Sequence, residues 1–326
     1  MEQKYDFLQV KEIEKTINSI ENFVKEEISK RFQKRGAVIG ISGGIDSAVM
    51  AAICAKSIDP KQVLGIIMPE KESDPTSQIL AKKVVEQYQI ETKIIDITSI
   101  LESFGVYSIK EQIVKEKFSN FNNNCKYRVT IPSKISNSAG IPFLEILDDK
   151  NKKYQFKIST SEFLTLIASS SIKHRVRMTL LYYYAEKNNF CVVGTTNKSE
   201  FLQGYFVKYG DGGTDLEPLT NLYKSQIYQI GEFLKVPNEI LEKDASADIW
   251  SFNTSDEEFF YSVPYHIVDL ILYARENNMT KSEIEKISNL SLEQIEKLLQ
   301  FQNQKQVKSQ HMREMPHSWK KIQINK

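Results

Sequence analysis

Cysteine is scarce. Cys54, Cys125 and Cys191 are the only three in 326 residues, and none stands at the spacing of a zinc or dithiol motif. This argues against a disulfide scaffold or a zinc ribbon and fits a reducing compartment, so a cytoplasmic location is expected. Long apolar runs are missing: no stretch approaches the roughly 18–20 residues a membrane span needs. The opening Met1-Glu2-Gln3-Lys4-Tyr5-Asp6 carries no apolar signal core. Neither sign of charge dominates. With 43 Lys and Arg against 42 Asp and Glu, the formal net charge is +1, which offers no broad field to nucleic acid or an anionic membrane.

The residues that are present alternate in character. Leu8, Ile13, Ile17, Ile20, Val24 and Ile28 recur at helical spacing through residues 8–34. Short apolar runs at 37–39, 63–69, 92–97 and 190–195 read as strands, and 75–88 and 172–187 read as helices. Strand–helix alternation predicts an α/β fold, a doubly wound parallel sheet flanked by helices. Ligands of such sheets sit beyond the carboxyl ends of the strands. The segments 40–47, Met68-Pro69 and Thr195-Thr196 all fall there.

Residues 103–165 break the rhythm and read as an inserted β-hairpin or small sheet, with turn residues Asp148-Asp149-Lys150-Asn151 between two strand-like runs. Beyond residue 215 the chain reads as mainly helical. The pair of short helices in 280–300 superficially resembles a DNA-binding helix pair, but it has no basic recognition face, and two packing helices are expected.

The chemistry-bearing stretch is Gly40-Ile41-Ser42-Gly43-Gly44-Ile45-Asp46-Ser47, between the strand at 37–39 and a helix beginning near Ala48. Glycines allow close approach to a ligand, and a helix N-terminus offers free N–H groups to an anion. The Lys-Ser/Thr pair of the Walker A loop is absent, which removes the usual P-loop reading. The loop resembles that of enzymes that cleave ATP between its α- and β-phosphates. A second signature runs Gly194-Thr195-Thr196-Asn197-Lys198-Ser199-Glu200, then Lys208-Tyr209-Gly210-Asp211-Gly212-Gly213-Thr214-Asp215, then Pro218-Leu219-Thr220-Asn221-Leu222-Tyr223-Lys224. With Ser246-Ala247-Asp248 and the tail Ser309-Gln310-His311-Met312-Arg313, the chain resembles the ammonia-dependent NAD synthetase family over roughly residues 8–100 and 170–316.

The resemblance implies one NAD synthetase-like domain over 1–326. It implies activation of the carboxylate of deamido-NAD by ATP as an acyl-adenylate, then displacement of AMP by ammonia. ATP would be bound by the loop 40–47, Met68, Thr195, Lys224 and Ser246. Asp46 and Glu200 would hold Mg²⁺, hard oxygen ligands suited to an ion bridging phosphates. Asp46 and Lys224 would be the catalytic pair. Arg175, Lys208, Asp215, His311 and Met312 match deamido-NAD positions. Each residue also has a plainer reading: Asp46 as a helix cap, Glu200 and Lys224 as solvated side chains, Met68 as core, and Arg177 as a structural ion-pair partner near Arg175.

The match has gaps. Met312 stands where the family has lysine, and Arg313 beside it is an alternative source of charge. Phe259-Phe260-Tyr261 replaces a shorter segment. The expected acyl substrate is deamido-NAD; another carboxylate, such as a sugar or nucleotide conjugate, is the alternative. Only 41 residues precede Ser42, too few for a glutaminase domain, so free ammonia or a separate glutaminase is expected to supply nitrogen. The resemblance also implies a homodimer.

Overall fold

The structure, a computed structural model, describes residues 6–131 and 141–319; the N-terminal reading at Met1–Tyr5 and the end of the inserted strand at Pro132 lie outside them. The chain enters through α1 (Ile13–Glu26), which widens into a π-type turn at Glu27–Arg31. Then come β1 (Ala37–Gly40), α2 (Ile45–Ser57), β2 (Val63–Ile67), α3 (Pro75–Gln87) and β3 (Glu91–Ile94). They are followed by α4 (Thr98–Ser103), α5 (Val106–Lys117), β4 (Lys126–Thr130), β5 (Phe143–Leu147), β6 (Lys153–Lys157), α6 (Thr160–Asn188) and β7 (Cys191–Val192). The remainder is helical: α7 (Lys198–Gln203), α8 (Lys224–Phe233), α9 (Asn238–Leu241), α10 (Tyr265–Glu276), α11 (Lys281–Ile287) and α12 (Leu292–Lys308).

Four strands form a parallel sheet in the order β3-β2-β1-β7. Successive side chains of a strand point to opposite faces, and both faces are apolar. Ala37, Ile39, Val63 and Ile67 pack with α2 and α8 on one side. Val38, Leu64 and Ile66 pack against Leu101, Val106 and Val176 on the other. The expected parallel sheet covered on both sides is the observed one. Burying β1 on both faces fixes its C-terminal end, so the loop that follows starts from a rigid point.

Three boundaries differ from the sequence reading. Helix α6 begins at Thr160 rather than near residue 172, because Ser159 and Glu162 form a capping box; the polar run Ser169-Ser170-Ser171 is carried inside the helix. Strand pairing at the fourth position is confined to Cys191–Val192, with Val193 bridging in parallel to Leu216. Within 103–165, Val106–Lys117 is helical and packs along α6. The β structure is a three-stranded antiparallel sheet, β4-β5-β6. Its inner face (Tyr127, Val129, Leu144, Ile146) packs with Ile113, Leu166, Trp250 and Phe259. The helices α11 and α12 pack with α10 around Ile284, Ile295 and Leu298, as two packing helices would.

Candidate active site

Loop 40–47 leaves β1 and becomes the first turn of α2. Gly43 has φ +78°, and a Cβ there would lie 2.2 Å from the Ser77 carbonyl oxygen, so only glycine fits this close turn. Gly44 caps α2 with no side chain on its terminal N–H groups. The loop braces itself: the Gly44 N–H donates to Ser42 Oγ at 3.2 Å, and Ser47 Oγ donates to the Gly44 carbonyl at 3.0 Å. The Ser42 and Ser47 hydroxyls lie 3.0 Å apart. Hydroxyls and helix N-terminal amides thus face a cleft of about 1110 Å³ lined by Gly40, Ile41, Ser42, Gly44, Ile45, Asp46 and Ser47.

Asp46, Glu200 and Lys224 come from three helices and meet at one point. Lys224 opens α8, and its Nζ lies 2.5 Å from Asp46 Oδ2 and 3.3 Å from Glu200 Oε1. Burial alone would discharge this lysine, but Asp46 and Glu200 hold its pKa well above the ordinary value. Glu200 is pushed up to about 8, by burial first; Lys224 opposes this and Asp46 adds to it.

Two features of the centre were not singled out from the sequence. Asn197 is fully buried, caps α7 by accepting the Glu200 N–H at 3.1 Å, and donates Nδ2–H to Asp46 Oδ1 at 2.8 Å. It ties both carboxylates to one frame. Its signal was an Asn three residues before a Glu, the capping pattern. Asp256, pushed up by burial and stabilised by Lys224, accepts hydrogen bonds from the Tyr205 and Tyr265 hydroxyls at 2.7 and 2.9 Å; nothing in its local sequence marks it.

Met68 at the end of β2, Thr195 beyond β7, and Ser246 line the same cleft. Ser246 Oγ donates to the Thr254 carbonyl at 2.8 Å and accepts the Asp248 N–H at 3.2 Å. Met68 is both core and cleft wall. Arg175, Lys208, His311 and Met312 line the cleft as well. Lys208 Nζ donates to the His311 and Glu314 carbonyls at 2.6 and 3.0 Å, holding the tail over the cleft. Arg177 lines the cleft too, with Nε donating to the Met68 carbonyl at 3.4 Å.

Asp215 and Arg313 stand apart from the other expected residues. Asp215 does not line the cleft. It is exposed at the sheet edge, where its carboxylate accepts the Val192 N–H at 2.8 Å and the Tyr182 hydroxyl at 3.1 Å; Asp211 lines the cleft instead. Arg313 does not supply charge there either, because its guanidinium donates to the Phe201 and Gln306 carbonyls at 3.0 and 2.6 Å. The additional cation of that region is Lys305, which lines the cleft and lies against the Phe260, Phe301 and Tyr261 rings.

A phosphate cradle without a Walker lysine, at the end of a parallel sheet and beside a carboxylate–lysine cluster, defines an ATP-cleaving α/β enzyme. The chain matches the family model for NAD synthase over residues 16–144 and 140–316. It is 33% identical to the NH(3)-dependent NAD(+) synthetase of Methanocaldococcus jannaschii over 304 residues, 93% of this chain and 96% of that one. It is also 33% identical to the protein of that name from Rhizobium rhizogenes over 283 residues, 86% and 85% of the two chains. Among solved structures it resembles NMN synthetase from Francisella tularensis (TM-score 0.65, 25% identity, 94% and 98% covered). It shares its fold with an NH3-dependent NAD synthetase from Campylobacter jejuni (TM-score 0.63, 24% identity, 94% and 99% covered). The chain belongs to the NAD synthase family and is a ligase that forms a carbon–nitrogen bond.

Proposed function

We propose that this protein converts deamido-NAD, ATP and ammonia to NAD, AMP and pyrophosphate. The observation that carries this reading is the meeting of Asp46, Glu200 and Lys224 at the hydroxyl-lined N-terminus of α2, in one cleft with aromatic and cationic side chains. A carboxylate oxygen of the substrate attacks the α-phosphorus of ATP, the bond from that phosphorus to the bridging oxygen breaks, and pyrophosphate leaves. Ammonia then adds to the acyl carbon, the bond to AMP breaks, and a proton is lost. Catalysis of the first step is mainly positioning and charge neutralisation. The α2 amides with Ser42 and Ser47 would hold the departing pyrophosphate, and Lys224 would offset the charge on it.

Asp46 and Glu200 present hard oxygen donors around Lys224. They fit Mg²⁺, which when bound would neutralise phosphate oxygens. The same cleft is lined by Tyr205, Phe206, Phe260 and Phe301 and by Arg175, Lys208 and Lys305. Aromatic faces suit a pyridinium ring, and the cations suit its phosphates and carboxylate. Asp215 holds the end of β7 through the Val192 N–H and is proposed to contact this substrate from the exposed sheet edge.

Free ammonia, or ammonia from a separate glutaminase, is the proposed nitrogen source, and the cytoplasm the proposed location. No helix among the described residues is long and apolar enough to cross a membrane. A homodimer is proposed as the working form; Phe104, Leu164 and Tyr183, all more than half exposed, leave apolar surface on α6 and beside it for a second copy.

The likeness to an NMN synthetase favours one second reading, amidation of nicotinate mononucleotide. Incubation with ATP, Mg²⁺, ammonium and either acyl substrate decides between them. NAD and AMP in equal amounts, with mononucleotide turned over far less efficiently, support the first reading. The reverse preference overturns it.

A further inference from the structure

Four charged side chains outside the reacting centre are almost completely enclosed. Lys173 Nζ lies 2.5 Å from Glu70 Oε1 and 2.6 Å from Glu72 Oε2, and Lys110 Nζ lies 2.8 Å from the same Glu72 oxygen. Both lysines are fully buried. The Tyr107 hydroxyl donates to Glu70 at 2.7 Å and the Tyr127 hydroxyl to Glu72 at 2.5 Å. Two positive and two negative charges balance, and every carboxylate oxygen named accepts a hydrogen bond. Burying such a group is costly, and a well-packed apolar cluster would commonly be as stable. The proposed chemistry uses none of these side chains.

The network joins two strips of chain that form facing parts of the cleft. Glu70 and Glu72 belong to the turn after β2, where Met68, Pro69, Glu70 itself, Ser73 and Asp74 line the cleft. Both ammonium groups also donate to the Ile249 carbonyl at 3.1 Å, in the strip Ser246-Ala247-Asp248-Ile249, which lines the cleft as well. A second tie runs alongside: the Asp74 N–H donates to the Asp248 carboxylate at 3.0 Å, with Asp248 held at φ +50°. Strand β4 grips the residues that follow this strip. The Tyr127 N–H donates to Ser251 Oγ at 3.0 Å, and the Phe252 N–H to the Tyr127 carbonyl at 3.1 Å.

We propose that the Glu70–Glu72–Lys110–Lys173 network is a positioning device for the nucleotide, setting the gap between the 68–74 turn and the 246–249 strip. The antiparallel sheet, through Tyr127, is its outer support. Charged groups suit this task because their hydrogen bonds fix a register that an oily contact would leave free to slide. The residues act through the cleft walls and do not touch the reacting atoms. The inference rests on the assignment of Met68 and Ser246 to ATP.

The test is direct binding of ATP and of deamido-NAD, each measured alone by calorimetry. The variant is the charge-neutral Lys110→Met/Glu72→Gln pair, with folding checked by circular dichroism. ATP dissociation constants should rise about tenfold, while deamido-NAD affinity stays within about twofold. ATP affinity within about twofold of wild type, or an equal loss for both ligands, overturns the inference. Should the double variant not fold, Tyr127→Phe removes one hydrogen bond only and should weaken ATP alone by about threefold; unchanged ATP affinity there overturns it equally. A wild-type protein that binds no ATP removes the nucleotide assignment itself, whereas one that binds ATP as well as the variants do removes only this proposal.

Discussion

Lys224 sits between two carboxylates, 2.5 Å from Asp46 and 3.3 Å from Glu200, and its charge is the only one of its sign among these three. Lys224→Met should lower kcat by about 10²–10³, read as AMP release under saturating ATP. Asp46→Ala should abolish AMP release and leave the circular dichroism spectrum unchanged; undiminished turnover would remove Asp46 from the reaction. Glu217 allows a test that needs no substrate. Burial pushes its carboxyl up to about 8, against hydrogen bonds from Thr196 and Thr214. Between the ordinary 4.5 and about 8 the folded protein holds a proton that the unfolded chain releases. Stability therefore falls as pH rises through that window and levels off above it. Glu217→Gln removes the slope, and by denaturant titration it should gain at least about 1 kcal/mol on the wild type between about pH 5 and pH 9. Asp46, Glu200 and Lys224 were legible because they lie in ordered motifs. Lys305 was not. A lysine near the end of an amphipathic helix has no local mark, and only the fold shows that it faces the cleft while Arg313 turns away.

At the scale of single elements, the six residues of α7 carry Glu200 and are held at both ends. Asn197 closes a capping box at the start, and Gly204 ends the helix at φ +68°, where an added Cβ would meet Ser309 Cβ at 2.1 Å. So short a helix has little stability of its own, and its caps decide where Glu200 stands. Asn197→Ala should cost about 1 kcal/mol of stability, whereas Asn197→Asp keeps the cap but sets a carboxylate where the Asp46 carboxylate accepted a hydrogen bond, and should lower kcat with less loss of stability. Wild-type kcat in Asn197→Asp would reduce Asn197 to a cap. Strands and helices of the parallel sheet were readable because their apolar patterns are regular and buried on both faces. The start of α6 was not, because its capping box at Ser159 and Glu162 falls inside the stretch 103–165 that reads as a β insertion. The short pairing of β7 was hidden in the same way: Phe190-Cys191-Val192-Val193 is apolar throughout, while the ladder spans two residues.

Across the whole molecule, the central sheet holds the phosphate cradle, the helical C-terminal part brings Lys224 and the tail, and the small antiparallel sheet backs one strip of the cleft. The buried network gives this arrangement an acid limit. Burial raises the Glu72 carboxyl, but Lys110 and Lys173 overcome that and bring it down to about 2. Its contribution to stability is complete above the ordinary 4.5 and is lost as pH falls toward about 2. Acid unfolding of the wild type should therefore be steeper over that range than that of Lys110→Met/Glu72→Gln, as followed by tryptophan fluorescence. The sequence showed a β-rich departure in 103–165 but could not show what it touches, since Glu72 and Ser251, which bond to Tyr127, lie more than fifty residues away on either side.

The central claim is that ATP activates a carboxylate by adenylation. Deamido-NAD labelled with ¹⁸O in its nicotinate carboxylate, incubated with the protein, ATP, Mg²⁺ and ammonium, tests it most directly. The account predicts one ¹⁸O atom in the phosphate of AMP for each NAD formed and none in pyrophosphate. NAD formed with ADP and ¹⁸O-labelled inorganic phosphate, or with unlabelled AMP, would contradict it.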